Sequence, residues 1–194
     1  MSISIEGNIG SGKSTVLKAI RNKYPDIVCF EEPLDVWCKG KYNYLNLFYE
    51  DPNRWAFLFQ IFVSLTRLDQ ICDKNNNGKL CVFERSIGSQ RHCFLPLVKK
   101  YITDIESDVL DKWFDQIDFK PFDVVIYIRT DPEVAYERIK KRNRPEESNI
   151  TLEYLQQLHE NHEAWLSKDE KHVVYIVDGN KSQEEVINQV LKFI

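Results

Sequence analysis

The stretch Gly7-Asn8-Ile9-Gly10-Ser11-Gly12-Lys13-Ser14-Thr15 decides the fold of this chain. Before it lies Ser2-Ile3-Ser4-Ile5-Glu6, a short apolar run that reads as a strand. After it, Val16-Leu17-Lys18-Ala19-Ile20 has helical spacing. Strand, G-x-x-x-x-G-K-S and helix, in that order, make a phosphate-binding loop. Glycines without a Cβ let the backbone curl and turn its N–H groups inward. The following helix adds partial positive charge at its N-terminus. Lys13 can reach the β- and γ-phosphates, and the Ser14 hydroxyl can ligate Mg²⁺. A chance glycine-rich turn would lack the flanking strand and helix, so the stretch implies a bound nucleoside triphosphate.

The whole chain sets the frame for that loop. At 194 residues it reads as a single domain, with a lid over about 142–149. Hydrophobic content of 43% and charged content of 29% describe an ordinary globular protein. A net charge of −4 gives no footprint for nucleic acid. No apolar run approaches the roughly 18 residues of a membrane span. The first strand is expected to start at once, without a leader before it. Cys29, Cys38, Cys72, Cys81 and Cys93 are odd in number and lack a C-x-x-C pair, as reduced cytoplasmic thiols would. Asn149-Ile150-Thr151 is a sequon that a cytoplasmic chain would not use. His92, His159, His162 and His172 have no metal-site spacing.

Four more strands and several helices follow. Ile27 to Phe30 reads as a strand ended by Glu31-Glu32-Pro33, since Pro33 holds Glu32 extended. Residues 36–48 are mixed and aromatic, with no clear period. Arg54 to about Asp73 reads as helix, started by Asp51-Pro52-Asn53 and stopped by Asn75 to Gly78. Its apolar residues exceed one stripe, so both faces should be covered. Leu80 to Phe83 is the third strand, ended by Glu84-Arg85-Ser86. Helix over Asp104 to Gln116, strand over Val124 to Ile128 and helix over Pro132 to Arg142, capped by Asp131, come next. Arg142 to Glu147 reads as a charged, non-helical stretch. Helix over Leu152 to Ser167, strand over Val173 to Val177 and helix over Ser182 to Lys192 close the chain. Five short apolar strands alternating with helices predict an α/β fold, a parallel sheet covered on both faces. Ligands in such sheets sit beyond the carboxyl ends of the strands. That rule gathers the loop after strand one, Glu31-Glu32 after strand two and Glu84-Arg85 after strand three on one rim.

Together these pieces resemble the cellular-type deoxynucleoside kinases. The resemblance rests on Gly7 to Thr15, Glu32-Pro33 with Trp37 beyond, Phe59-Gln60, Glu84-Arg85-Ser86 and Arg142 to Glu147. It runs from residue 2 to about residue 166 and suggests a compact, viral-type member. It implies a P-loop kinase fold, with ATP as co-substrate, Mg²⁺ as cofactor, a deoxynucleoside as acceptor and a homodimer as the assembly. By resemblance Glu32 is the general base for the 5′-hydroxyl and Arg85 steadies that oxygen and the base. Glu31 points to the other side of an extended chain and is given no role. Glu84 resembles the carboxylate that helps hold Mg²⁺. Arg138, Arg142 and Arg144 look like lid arginines that clamp phosphate charge. Tyr49 and Glu147 would hydrogen-bond the 3′-hydroxyl. Gln60 would pair with the nucleobase, whose pyrimidine edge suits a donor beside an acceptor. Trp37, Leu45, Phe59 and Phe94 would line the base slot. Val63, Arg67 and Gln90 sit where this family tunes base choice. Gln90 stands where aspartate or alanine is usual, and its amide oxygen could accept from Arg67.

Two rival readings remain at this level. A nucleoside monophosphate kinase such as a thymidylate kinase would share fold and lid. The acidic run Glu31-Glu32-Pro33-Leu34-Asp35 disfavours its charged acceptor. A P-loop switch without small-molecule turnover would leave Gln60, the aromatic slot and Glu147 unexplained.

Overall fold

The computed structural model of the chain describes residues 1–72, 78–116, 122–169 and 172–194. Two compact units make it up. The first comprises Met1–Glu32, Lys74–Ser86 and Pro121–Ile194, and the second Pro33–Asp73 and Ile87–Lys120.

The first unit is built on a five-stranded parallel sheet. Its strands are β1 (Ser2–Gly7), β2 (Val28–Phe30), β3 (Cys81–Glu84), β4 (Val124–Arg129) and β5 (Val173–Asp178), in the order β2-β3-β1-β4-β5. In-register pairs such as Ile5 with Glu84 and Gly7 with Ile128 bring the carboxyl ends to one edge. Ile3, Ile5, Ile126 and Ile128 are fully buried against helices α1 (Lys13–Lys23) and α10 (Gln183–Val190). On the opposite face, Val125 and Tyr127 pack with Leu166 of α9 (Leu152–Leu166). Helix α8 (Pro132–Arg142) packs on α9 through Ala135, Ile139 and Leu155. Helices thus cover both faces, as the strand pattern predicts.

Local chemistry explains the element ends. Ser182 and Glu185 form a reciprocal capping box on α10. Thr151 caps α9 through the Tyr154 N–H. Asp131 holds the N-cap place of α8, but its side chain makes no capping bond; instead its N–H donates to Asn180 Oδ1 at 2.9 Å. Residues Pro145–Glu147 form a 3₁₀ turn where the sequence suggests irregular chain. Pro145 suits the first position of such a turn because its φ is already set.

The second unit is helical. Residues 36–48, ambiguous in sequence, run from the end of α2 (Leu34–Cys38) through a short connection into α3 (Tyr44–Glu50). Then comes α4 (Pro52–Ile71), whose N-cap Asp51 accepts from the Arg54 N–H. The expected stop around Asn75 lies outside the described residues, and α4 ends before it. Helix α5 (Ile87–Ser89) runs into a π turn (Gln90–Phe94), α6 (Leu95–Val98), a 3₁₀ turn (Lys99–Tyr101) and α7 (Asp104–Gln116). One face of α4 is covered, with Ala56, Phe59 and Val63 buried. Leu58 and Leu65 stay 44% and 49% exposed, so the chain alone does not cover both faces.

Candidate active site

The loop between β1 and α1 has the backbone that its glycines allow. Gly12 lies at φ 94° and Gly10 at φ 80°, in the left-handed region. A Cβ on Gly10 would sit 2.6 Å from the Ala135 carbonyl oxygen, so the loop could not lie against α8 with any other residue. Lys13 is buried and turns its ammonium into the loop. It donates to the Asn8 carbonyl at 2.7 Å and to the Gly7 carbonyl at 3.2 Å. Burial, and then repulsion from Arg85, lowers its pKa from 10.5 to about 7, against the pull of Glu84, Glu32 and Glu6.

The three strand ends of the first unit meet around this lysine. Ser14 Oγ donates to Glu84 Oε1 at 2.9 Å. Arg85 Nη1 donates to the Gly7 carbonyl at 2.7 Å, and its Nε lies 3.4 Å from Glu32 Oε1. Glu31 leaves this group and pairs with Arg21 at the surface, 2.8 Å away. Alternation along an extended chain separates the two carboxylates, as the sequence implies. Arg85 stands at φ 68°, a left-handed conformation that a residue with a Cβ rarely adopts. Such backbone is held by its surroundings and clusters at functional sites.

Ser14 and Glu84 are hard oxygen donors in contact with each other, which fits Mg²⁺. Among the described residues, no group of three His, Cys, Asp or Glu side chains gathers into a metal site. Mg²⁺ characteristically keeps waters and takes phosphate oxygens beside one or two protein ligands.

An open cavity of about 330 Å³ adjoins the loop, lined by Gly10, Gly12, Thr15, Arg138, Arg142 and Lys181 among others. Arg138 is committed to backbone, donating to the Gly179 carbonyl at 2.9 Å and the Lys181 carbonyl at 3.3 Å. Arg142 pairs with both oxygens of Glu147, through Nη2 to Oε1 and through Nε to Oε2 at 3.1 Å. Arg144 Nη1 lies 3.8 Å from the same carboxylate. Two of the three arginines therefore converge on Glu147, and the third holds the 179–181 loop.

In the second unit, Trp37, Leu45, Phe59 and Val63 share one cluster. Trp37 meets Phe59 edge-on at 5.9 Å and donates its indole N–H to Thr66 Oγ1 at 3.0 Å. Tyr49 packs on Phe48 at 5.3 Å. Phe94 is half-buried at the end of the π turn. Gln90 Nε2 donates to the Gln60 carbonyl at 2.7 Å and to Gln60 Oε1 at 3.0 Å. Gln90 Oε1, which the sequence offers to Arg67, accepts from Ser64 Oγ at 3.0 Å. Arg67 is buried, with its guanidinium over the Trp37 ring at 5.7 Å. The Gln60 and Gln90 contact was not legible in sequence, where the residues lie thirty apart. It leaves Gln60 its amide N–H groups and one lone pair of Oε1.

Comparison with known proteins identifies the family. The deoxynucleoside kinase family profile matches residues 3–194. The chain is 32% identical over 209 residues to a probable deoxycytidine kinase of Fowlpox virus, covering 99% of this chain and 87% of that one. It is 39% identical over 173 residues to human mitochondrial thymidine kinase 2, covering 86% of this chain and 64% of that protein. A solved deoxyadenosine kinase from M. mycoides, with the products dCMP and a flexible dCDP bound, superposes with a TM-score of 0.85. It is 25% identical and covers 100% of this chain and 98% of that one. A loop built for phosphate, strand ends that converge on it, and a family match over nearly every residue lead to one conclusion: the chain belongs to the deoxynucleoside kinase family and is a deoxynucleoside kinase.

Proposed function

We propose that the chain transfers the γ-phosphoryl group of ATP to the 5′-hydroxyl of a pyrimidine deoxynucleoside, deoxycytidine before thymidine. The observation that carries the phosphoryl-transfer step is the Glu32–Arg85–Gly7 connection at the rim that holds Lys13. Glu32 takes the 5′-hydroxyl proton as that oxygen attacks the γ-phosphorus. The new O5′–P bond forms as the bond to the bridging oxygen breaks, and ADP leaves with that electron pair. Arg85 keeps the carboxylate in place and donates to the attacking oxygen. Lys13 and the lid arginines Arg142 and Arg144 neutralise charge on the phosphate oxygens. Ser14 and Glu84 would hold Mg²⁺, which would offset negative charge on the phosphates. Arg138 lends the donor pocket its shape by fixing the loop at Gly179 and Lys181. Glu147 takes the 3′-hydroxyl, which makes the lid sensitive to both substrates, because Arg142 also bonds Glu147. Five cysteines that form no disulfide among the described residues support a cytoplasmic setting.

Base choice rests on the second unit. Gln60 keeps a donor and an acceptor for a base edge, and either cytosine or thymine offers the complement. The bonds of Gln90 to Gln60 and Ser64 support a pocket in which its side chain takes the space of a 5-methyl group. Relatives named as deoxycytidine and thymidine kinases support a pyrimidine acceptor. A methyl-sized misfit limits the preference for deoxycytidine to about 10- to 200-fold in kcat/KM. Measuring ADP release with each of the four deoxynucleosides tests this. Equal values for deoxycytidine and thymidine, or a thymidine lead, contradict the base assignment, and a purine lead contradicts the pyrimidine one. Arg67→Met with Gln90→Ala is expected to shift the ratio toward thymidine.

A further inference from the structure

Glu6 is a carboxylate in the central strand of the sheet, fully buried, with Tyr127 opposite it on β4. A buried carboxylate is costly unless it is hydrogen-bonded or compensated by charge. Glu6 has both. Its Oε1 accepts from Ser4 Oγ at 2.5 Å and from the Ser86 backbone N–H at 2.8 Å. Its Oε2 is buried with no hydrogen-bond partner among the described residues. It lies among the carboxylates whose charge acts on buried Lys13.

The bond to Ser86 matters because of the residue before it. Arg85 is the residue at φ 68°. Its own N–H donates to the Ile5 carbonyl at 3.0 Å, and the next N–H, that of Ser86, donates to Glu6. The left-handed turn is therefore held from both sides, by the backbone of one β1 residue and the side chain of the next. From that turn the Arg85 guanidinium reaches the Gly7 carbonyl and Glu32. Without the Glu6 acceptor, the Ser86 N–H would be a donor without this partner, and φ at Arg85 would relax toward the ordinary region.

We infer that Glu6 is a positioning residue for phosphoryl transfer: it fixes the turn at Arg85 and thereby aims the guanidinium at Glu32 and the attacking oxygen. The inference rests on the deoxynucleoside kinase reading and adds to it a residue that touches neither substrate. A side chain that acts only by supporting the fold would lower the melting temperature and leave turnover per folded molecule alone. One that aims Arg85 would lower kcat while substrate binding persists.

The test is a double-mutant cycle of Glu6→Ala with Arg85→Ala, assayed with ATP and deoxycytidine well below the melting temperature of each variant. In the wild-type background, Glu6→Ala is expected to lower kcat about 10- to 100-fold, the scale of small misplacements of a catalytic group. KM for either substrate is expected to change less than about threefold, since a transition-state contact is the one lost. Glu6→Gln keeps an oxygen for the Ser86 N–H and is expected to recover most of the lost turnover. In the Arg85→Ala background, Glu6→Ala is expected to cost nothing more, because its effect runs through that arginine. Unchanged kcat in Glu6→Ala, or losses that multiply in the double variant, would overturn the inference. Should Glu6→Ala not fold, the same cycle is run with Glu6→Leu, which fills the space without an acceptor for the Ser86 N–H, with the same expected and contradicting outcomes. Wild-type protein that turns over no deoxynucleoside would overturn the underlying reading, whereas an active wild type with a neutral Glu6 overturns the inference alone.

Discussion

Glu31 pairs with Arg21 at the surface, whereas Glu32 lies half-buried against Arg85. Glu32→Gln keeps the shape and removes the base, so kcat is expected to fall by roughly 10²–10⁴ with KM little changed. Glu31→Gln is expected to be mild, and steady-state kinetics on both variants would reveal the reverse order. At this scale the sequence was informative where chemistry needs a fixed residue type. The loop from Gly7 to Thr15 and the Glu84-Arg85 pair were legible for that reason. Glu6 was not, because a strand reading Ser-Ile-Ser-Ile-Glu places its polar residues on one face without saying that the carboxylate there accepts from the Ser86 N–H, eighty residues away. The Gln90–Gln60 bond was not legible either, since the π turn that presents Gln90 has no apolar period of its own.

Helix α9 shows what packing adds to an element that was readable from its spacing. His162 is fully buried there, with Nδ1 2.6 Å from the Leu158 carbonyl and its ring parallel to Tyr127 at 5.9 Å. Burial, with Arg85, Lys13 and His159 adding repulsion, holds its pKa down to about 3. The unfolded chain takes up this proton near pH 6.5 and the folded chain does not until about pH 3. Stability therefore falls as pH drops from 6.5 toward 3, by up to about 1.4 kcal/mol per pH unit for one proton. His162→Phe keeps an aromatic ring and removes the titrating group. Its melting temperature is expected to drop less than that of wild type between pH 6.5 and 5, as thermal melts would show. Parallel slopes would contradict the assignment. The strands and long helices were legible because apolar period survives in each of them. Residues 34–50 and 87–101 resisted, since short helices complete too few turns to repeat a pattern.

Over the whole molecule, no helix among the described residues is long and apolar enough to cross a membrane. In the second unit, Leu58 and Leu65 on α4 and Ile105 and Val109 on α7 are exposed. Leu58 and Leu65 are seven residues apart and share a stripe, which suits pairing with a second copy. Light scattering is expected to give twice the 23.0 kDa chain mass, and Leu65→Glu to lower it toward the monomer. A monomer mass for wild type at micromolar concentration would contradict the dimer. The sequence pattern placed the sheet and its carboxyl edge, because strand ends in a parallel sheet must share a side. Activity itself is tested most directly by ADP release with ATP and Mg²⁺ across four deoxynucleosides and four deoxynucleoside monophosphates. Turnover of at least one deoxynucleoside and of no monophosphate is the predicted result; faster turnover of a monophosphate would contradict a 5′-hydroxyl acceptor.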